Sequence, residues 1–204
     1  MTWSKKMRKL VIASNNPGKL REIGHLLEPL GLEVLPQSVF DISEADEPYC
    51  TFIENALAKA RYASRCSGLP ALADDSGICV NALNGQPGIH SARYAGEPKS
   101  DEHNNQKLIE ALTHQSDHNA HYYCVMALVR HVDDPQPIIA DGSWHGQIIP
   151  QPRGNGGFGY DPHFYLPELG VTSAELPLEQ KNKISHRSQA LIRLVESIKQ
   201  EMVK

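Results

Sequence analysis

The sequence predicts an α/β fold: an elongated mixed sheet with flanking helices, forming two lobes around a central cleft. Three patterns indicate this class. A short, wholly apolar run at residues 10–13 is typical of a strand covered on both faces. A polar turn follows it directly, and then a segment with helical spacing. Residues 121–132 and 138–149 resemble long strands around a proline-marked turn, which predicts an antiparallel hairpin that would lengthen the sheet.

The first half of the chain predicts further alternation of helices and strands. The helix after the first turn carries apolar side chains at helical spacing. Residues 33–35 are expected to form a second strand, and residues 36–49 an acidic loop. Thr51 and Glu54 form a capping-box pattern that begins a long helix, and Gly68 is expected to end it.

The middle of the chain predicts two short strands and a helix. Residues 71–73 are expected to form a strand that is interrupted by the polar residues 74–77. Residues 78–83 would then return as another strand, and residues 84–96 would form a loop rich in glycine and proline. The spacing of residues 101–112 predicts a helix.

The C-terminal part predicts a loop and a final helix. Residues 154–159 are glycine-rich, and Ser185 is expected to cap the last helix. At the other end of the chain, residues 1–7 resemble a leader that could be disordered. Residues 8–204 are expected to form a single two-lobed domain.

Composition narrows the functional classes. The chain has 204 residues and a formal net charge of -4, which argues against the basic face that nucleic-acid binding favours. No segment reaches the roughly 18 apolar residues of a membrane span. The four cysteines lack paired spacing and are typical of buried thiols in a reducing compartment. We therefore expect a cytoplasmic protein with neither a nucleic-acid nor a membrane partner.

The first candidate site is the turn between the first strand and the first helix, which consists of Ser14, Asn15, Asn16, Pro17, Gly18 and Lys19. A helix N-terminus offers backbone N–H groups and a favourable dipole to an anion. Gly18 would allow a phosphate to approach closely, and Lys19 would add a positive charge. The pattern matches neither of the two familiar glycine-rich nucleotide motifs, and an ordinary turn with a solvated lysine is an equally good alternative.

The second candidate site is the run from Asp74 to Gly77 at the end of an apolar strand, where sites gather in open α/β sheets. Adjacent side chains of an extended chain point to opposite sides, so one carboxylate could face the core or cap a turn while the other faces the cleft. A carboxylate facing phosphates would hold Mg²⁺ or accept a proton from an attacking water. The alternative is an Asx-turn with a positive φ at Gly77.

The third candidate is the acidic loop, in which Glu44, Asp46 and Glu47 lie close together in sequence. Such a loop is most often solvated. A metal site there needs a partner carboxylate from elsewhere, and Asp75 is the natural candidate.

Two further motifs could bind a nucleobase. In the glycine-rich loop, either Phe158 or Tyr160 could stack on a base, and Asp161 could accept a hydrogen bond from the ring or the sugar. His186 and Arg187 begin the last helix, where the helix dipole disfavours cations. Their presence there indicates a ligand that is anionic or bears a carbonyl group. The alternatives are an aromatic plug for the loop and ordinary surface charge for the helix.

The order and the residue identities of these motifs resemble those of the inosine/xanthosine triphosphate pyrophosphatase family, which in bacteria comprises the house-cleaning dITP/XTP pyrophosphatases. The resemblance extends from about residue 9 to residue 198 and is carried by residues 14–19, 51–56, 73–77, 87–88, 91–94, 156–162 and 184–187. It implies an elongated α/β structure with a cleft between two lobes, and a homodimer.

The resemblance also implies roles for individual residues. The turn at residues 14–19 would hold the triphosphate, and Lys59 is a weaker candidate for the same task. Asp75 would be the catalytic acid/base and a Mg²⁺ ligand, while Ser76 would contact the substrate. A second metal ligand would be Asp46 or Glu47, with Glu44 third. The nucleoside and base pocket would comprise Phe158, Gly159, Tyr160, Asp161, Lys181, His186 and Arg187.

The implied activity is Mg²⁺-dependent hydrolysis of the non-standard purine triphosphates ITP, dITP and XTP to a monophosphate and pyrophosphate. Hypoxanthine and xanthine carry a 6-keto acceptor that donors at His186 and Arg187 would satisfy, whereas adenine presents an amino group there. Two alternatives stay open: a non-catalytic nucleotide sensor, and a general nucleotide phosphatase that releases orthophosphate.

Overall fold

The computed structural model describes residues 9–203, apart from the side chains of Glu22 and Val203. The leader predicted at residues 1–7 lies outside these residues. The strands are β1 (Lys9–Ile12), β2 (Glu33–Pro36), β3 (Ala71–Val80), β4 (Asn119–Val129), β5 (Ile138–Ile148), β6 (Phe164–Leu166) and β7 (Val171–Thr172). The α-helices are α1 (Pro17–Leu27), α2 (Phe52–Ser67), α3 (Asp101–Leu112), α4 (Leu178–Ile184) and α5 (His186–Val203).

The strands form a single sheet in the order β2-β1-β3-β4-β5-β6-β7. β1 pairs in parallel with β2 and β3, whereas β6 pairs antiparallel with β5 and β7. The predicted mixed α/β class is therefore confirmed. Within the described part of the chain, no helix is both long and apolar enough to span a bilayer.

The chain divides into two compact units. The first contains the described residues up to Asp75, then Val125–Asp141, and the described residues from Ala190 onwards. The second contains Ser76–Cys124 and Gly142–Gln189. The expectation of one two-lobed domain over residues 8–204 stays a prediction.

In the first unit, β1 lies between two parallel neighbours. Val11 pairs with Leu35 of β2 and with Ala71 of β3, and Val11 itself is fully buried. Each parallel connection contains a helix, as a crossover requires. Parallel strands end at the same edge of a sheet, so the turn after β1 lies level with the polar residues of β3. The backbone N–H of Ala13 donates to the carbonyl of Leu72 at this edge, at 2.8 Å.

Helix α2 packs against β1 and has the predicted start and end. The side chain of Thr51 accepts the backbone N–H of Glu54, and Gly68 adopts the left-handed conformation just beyond the last turn. The buried face carries Ala56, Ala60 and Ala63. These small side chains let the helix backbone lie close to the sheet.

In the second unit, β4 and β5 pair in the predicted hairpin. The His121 and His145 rings lie 5.3 Å apart, and those of Tyr122 and Trp144 lie 6.4 Å apart. Position numbers that rise on one strand while they fall on the other identify an antiparallel pair. Side chains alternate between the faces of a strand, so the histidine pair and the buried aromatic pair lie on opposite faces.

The core of the second unit forms on the aromatic face of this hairpin. Its largest members include Trp144, Tyr160 and the fully buried Phe164. Leu108 and Leu112 of α3 complete this core, which anchors α3 to the sheet.

The structure corrects the prediction that the polar run after residue 73 interrupts the strand. β3 is continuous from Ala71 to Val80, and a short 3-10 helix, Asn81–Leu83, replaces the end of the expected return strand. Gly77 lies within β3 without a positive φ, so the Asx-turn alternative is wrong. The strand can continue because the charges of Asp74 and Asp75 are each neutralised by a lysine.

Also in the first unit, Asp134 ties the β4–β5 connection to the end of β4. Its carboxylate accepts the backbone N–H of Arg130 at 2.9 Å, the Arg130 guanidinium at 2.8 and 2.9 Å, and the backbone N–H of Gln136 at 2.9 Å. Burial raises the pKa of Asp134, but these hydrogen bonds and the charge of Arg130 outweigh burial and lower the pKa to about 2. A carboxyl group with a depressed folded-state pKa stabilises the fold above its unfolded pKa, and this stabilisation is lost as the pH falls towards the folded value.

We therefore expect Asp134→Asn to lower the free energy of unfolding by about 1.5–3 kcal/mol at neutral pH, since charge-assisted hydrogen bonds are lost. The difference from wild type should shrink as the pH falls from about 4, the unfolded pKa, to about 2. Urea unfolding across this range measures it. Asp133→Asn, at the adjacent exposed position, is the control and should change stability by less than about 0.5 kcal/mol. Equal losses in the two variants would contradict the assignment.

Candidate active site

The turn between β1 and α1 is organised by its own side chains. Asn16 caps α1: its Oδ1 accepts the backbone N–H groups of Gly18 at 2.9 Å and Lys19 at 3.2 Å. The backbone N–H of Asn16 donates to Ser14 Oγ at 3.1 Å. The sequence predicted that these helix amides would be available to an anion. In the structure two of them are already bonded, so an anion would have to take the place of the Asn16 side chain.

Lys19 forms an ion pair with a buried carboxylate. Its Nζ lies 2.9 and 2.8 Å from the two oxygens of Asp74, whose side chain is only 3% exposed. The sequence predicted Lys19 as a cation available to phosphate and gave Asp74 no role in the site. The structure instead shows that Asp74 holds Lys19 in the first turn of α1.

A second lysine, on α2, joins two carboxylates. The Nζ of Lys59 lies 2.6 Å from Glu47 Oε1 and 3.1 Å from Asp75 Oδ1. Burial lowers the pKa of Lys59, but the charges and hydrogen bonds of its partners raise it overall. Burial raises the pKa of Asp75, while Lys59 opposes that rise. We call Glu47, Lys59 and Asp75 the acidic cluster.

The acidic cluster fits an oxygen-liganded cation. The second oxygen of Asp75, Oδ2, is buried and has no hydrogen-bond partner among residues 9–203. Across these same residues, no three His, Cys, Asp or Glu side chains are grouped as a complete metal cage. Mg²⁺ does not need one, because it commonly takes one or two protein carboxylates and fills its other positions with water and phosphate.

Within the acidic loop, the structure brings Glu47 to Asp75 and leaves Asp46 and Glu44 exposed. Glu47 therefore suits a shared cation better than its neighbours do. The identity of the metal ligand stays a prediction, as does Asp46 as the alternative.

In the second unit, Asp161 organises the glycine-rich loop. The carboxylate is only 2% exposed and accepts the Ser173 hydroxyl at 2.8 Å and the backbone N–H of Phe158 at 2.9 Å. It also forms an ion pair with Lys181. The sequence predicted that Asp161 accepts a hydrogen bond from the substrate. Its oxygens hold the loop and Lys181 in this structure, and a direct contact with the substrate stays a prediction.

The two aromatic residues of the loop have opposite environments. Tyr160 is buried in the core, and its hydroxyl donates to the carbonyl of Ser91 at 2.7 Å. Phe158 is 69% exposed, and Lys181 Nζ lies 5.3 Å from the centre of its ring. The sequence left both rings as candidates for base stacking. The structure favours Phe158, because the Tyr160 ring is covered by protein.

The start of α5 combines a buried ring with a polar contact. His186 is buried, and its ring stacks on Tyr122 with 4.9 Å between centres and 11° between planes. Arg187 Nη2 lies 3.1 Å from the hydroxyl of Ser76. Ser185 caps the helix as predicted, with its hydroxyl accepting the backbone N–H of Ser188. Two predicted substrate contacts, Ser76 and Arg187, are thus brought together.

A model of the Ham1 family matches residues 10–197. The chain belongs to the Ham1 family. A protein of Nitrosomonas europaea named dITP/XTP pyrophosphatase is 66% identical over 192 residues, which cover 94% of this chain and 95% of the relative. A Ralstonia nicotianae protein of the same name is 63% identical over 196 residues, with 95% and 98% covered.

Solved structures of Ham1 proteins have the same fold. The HAM1 protein of Coxiella burnetii is 46% identical, with a TM-score of 0.92 over 95% of this chain and all of that one. The Staphylococcus aureus Ham1 protein is 40% identical, with a TM-score of 0.88 over 95% and 99%.

Sequence reasoning about this Ham1 chain missed three residues that shape the site: Asp74, Tyr122 and Ser173. Asp74 carried a usable signal, because a second acid beside a candidate catalytic one in a buried strand needs its own counter-charge. Tyr122 and Ser173 gave none, since their partners are distant in sequence.

Gly157 is a test of the loop geometry. A Cβ added there would lie 2.0 Å from Asp161 Oδ2, and the φ of Gly157 is +75°. We expect Gly157→Ala to displace the carboxylate and to lower the free energy of unfolding by about 1 kcal/mol or more beyond the cost of the positive φ. Gly170→Ala is the matched control, because its φ is +72° but its Cβ would meet nothing within 4 Å. Urea unfolding of the two variants decides, and equal losses would contradict the role of Asp161.

Proposed function

We propose that this chain hydrolyses the non-standard purine nucleoside triphosphates ITP, dITP and XTP to the nucleoside monophosphate and pyrophosphate, and so cleanses the nucleotide pool. The names of relatives that are 63–66% identical over nearly the whole chain support the reaction. Within the structure, the observation that carries it is the acidic cluster, in which a buried carboxylate has one oxygen bonded to a lysine and one without a partner among the described residues.

The phosphates would be bound by two lysines and by the turn between β1 and α1. Lys19 and Lys59 offer positive charge, and the turn formed by residues 14–19 offers the α1 amides once phosphate replaces Asn16 as their acceptor. Hydrolysis of the phosphoanhydride bond between the α- and β-phosphates depends mainly on positioning and charge neutralisation. Lys19, held by Asp74, would neutralise negative charge on the pyrophosphate leaving group.

Asp75 would orient the attacking water and accept its proton as the water attacks the α-phosphorus. Its unpartnered oxygen suits that role, because a general base must be within hydrogen-bond reach of the proton it takes. Asp75 and Glu47 would hold Mg²⁺, with Asp46 as the alternative to Glu47; the ion would neutralise charge on the phosphates.

The base would be bound by the glycine-rich loop and by the start of α5. Phe158 would stack on the purine, and Lys181 Nζ lies over the same phenyl ring, 5.3 Å from its centre. His186 and Arg187 would donate to the 6-keto group of hypoxanthine or xanthine. Adenine offers an amino donor in that position, so it would leave these donors unpaired. Direct contacts of Gly159, Tyr160 and Asp161 with substrate stay predictions.

A cytoplasmic location and a homodimer complete the proposal. The composition and the cysteine spacing favour the location, the sequence resemblance implies the homodimer, and the net charge of -4 suits a protein that does not bind nucleic acid.

The proposal is tested by one assay of ITP, XTP, dITP, GTP and ATP with Mg²⁺, scored for pyrophosphate and for orthophosphate. We expect pyrophosphate from the first three and much slower turnover of ATP. Asp75→Asn should lose at least about a hundredfold in kcat, as expected when a general base is removed, while triphosphate still binds. Orthophosphate as the product would indicate a phosphatase. Triphosphate binding without turnover in the wild type would indicate a sensor.

A second test separates the two acidic-loop candidates. Glu47→Gln should raise the Mg²⁺ concentration needed for half-maximal turnover by at least about tenfold, because a carboxylate of the metal site is lost. Asp46→Asn, one residue away and exposed, should leave this requirement nearly unchanged. Direct titration with Mn²⁺ gives a reading that does not depend on turnover. The reverse order of effects would transfer the ligand role to Asp46.

A further inference from the structure

Helix α3 holds a single loop residue by both of its backbone polar groups. The backbone N–H of Gly159 donates to Asp101 Oδ2 at 2.7 Å, and the carbonyl of Gly159 accepts Asn105 Nδ2 at 2.9 Å. Asp101 and Asn105 are one helical turn apart on α3, so they lie on the same face of the helix. Neither residue was singled out by the sequence motifs.

These two bonds complete a set of restraints around Phe158. On one side, the backbone N–H of Phe158 itself donates to Asp161 Oδ2 at 2.9 Å. On the other side, Gly159 is held by α3, and Tyr160 is buried in the core. The Phe158 side chain is 69% exposed. An exposed ring is therefore carried by a backbone that is fixed before and after it.

The helix that supplies the restraint is itself well anchored. Ser100 caps α3 by accepting the backbone N–H of His103, and Leu108 and Leu112 are buried in the core. Asp101 lies in the first turn of α3, where the helix dipole favours a carboxylate.

The side-chain oxygen of Asn105 indicates that the contact between α3 and Gly159 is not incidental. Asn105 Oδ1 is buried and has no hydrogen-bond partner among the described residues. Leaving a buried acceptor unpaired has a free-energy cost, and such a group calls for an explanation. The hydrogen bond from Asn105 Nδ2 to the carbonyl of Gly159 provides this explanation. It holds the Asn105 side chain in an orientation in which Oδ1 meets no donor among the described residues.

We infer that Asp101 and Asn105 are positioning residues for nucleobase binding. They hold Gly159 so that the Phe158 ring is presented in a fixed orientation, and the loop need not be ordered when the substrate binds. This inference rests on the proposed function, because it takes the nucleobase as the partner of Phe158. Neither residue needs to contact the substrate.

The test uses the full-length chain with Asp101→Ala and Asn105→Leu. We expect the KM for ITP and XTP to rise about five- to tenfold, the factor that corresponds to one lost hydrogen bond, while kcat changes less than about twofold. Asp101→Asn keeps an acceptor oxygen and should restore most of the affinity. Glu102→Ala removes the neighbouring exposed carboxylate of the same turn and is the matched control, with KM unchanged.

Coupling to Phe158 separates positioning from a general loss of structure. In a Phe158→Ala background, Asp101→Ala should have little further effect on KM, since the ring that it orients is gone. Inhibition by inorganic triphosphate, which lacks a base, should be equal in wild type and variants. Additive effects on KM, or weaker inhibition by inorganic triphosphate, would overturn the inference.

A readout that does not need activity completes the experiment. Amide hydrogen exchange at residues 158–159 should accelerate at least about tenfold in Asp101→Ala and not in Glu102→Ala. If the wild type is active but KM and hydrogen exchange are unchanged in the variants, the inference is overturned and the proposed function is not. A wild type that releases no pyrophosphate from any purine triphosphate would overturn the proposed function and the nucleobase role together.

Discussion

Two adjacent carboxylates are buried in one strand, and a lysine from a different helix neutralises each of them. Asp74 is paired with Lys19 of α1, and Asp75 with Lys59 of α2. Removing an unpaired charge from water is costly, so the strand, its polar residues and both helices must be in place together. These two ion pairs keep β3 continuous and hold the N-terminal end of α1 in place. Lys59 also binds Glu47 of the acidic loop. The chemistry of the first unit depends on these ion pairs.

The second unit solves a similar problem with one acid. Asp161 is buried, but its oxygens are taken by Lys181, a hydroxyl and a backbone amide of the loop. Its charge is used to shape the glycine-rich loop, whereas Asp75 keeps an oxygen that has no partner within the described part of the chain. The two acids thus have opposite characters: one is fully satisfied and holds structure, and the other retains bonding capacity that can be used on a ligand.

Local features of the fold could be predicted from the sequence, and features set by distant contacts could not. The start of α2 at its Thr51 cap and its end at Gly68 follow from residues that lie within a few positions of each other. The continuity of β3 could not be predicted, because the lysines that neutralise its two aspartates belong to α1 and α2. β6 and β7 are too short to show a strand period. For the site, residue types were predictable, but the burial of Tyr160 depends on tertiary packing.

The pairing of β4 with β5 has a consequence for the start of α5. Side chains alternate along a strand, so a slip of β4 by one residue against β5 would exchange the two faces of β4. His121 would turn towards the core, and the large ring of Tyr122 would be driven into water. The slipped pairing is therefore strongly disfavoured. His186 stacks on the Tyr122 ring. The strand register of the hairpin therefore also determines the position of the imidazole at the start of α5.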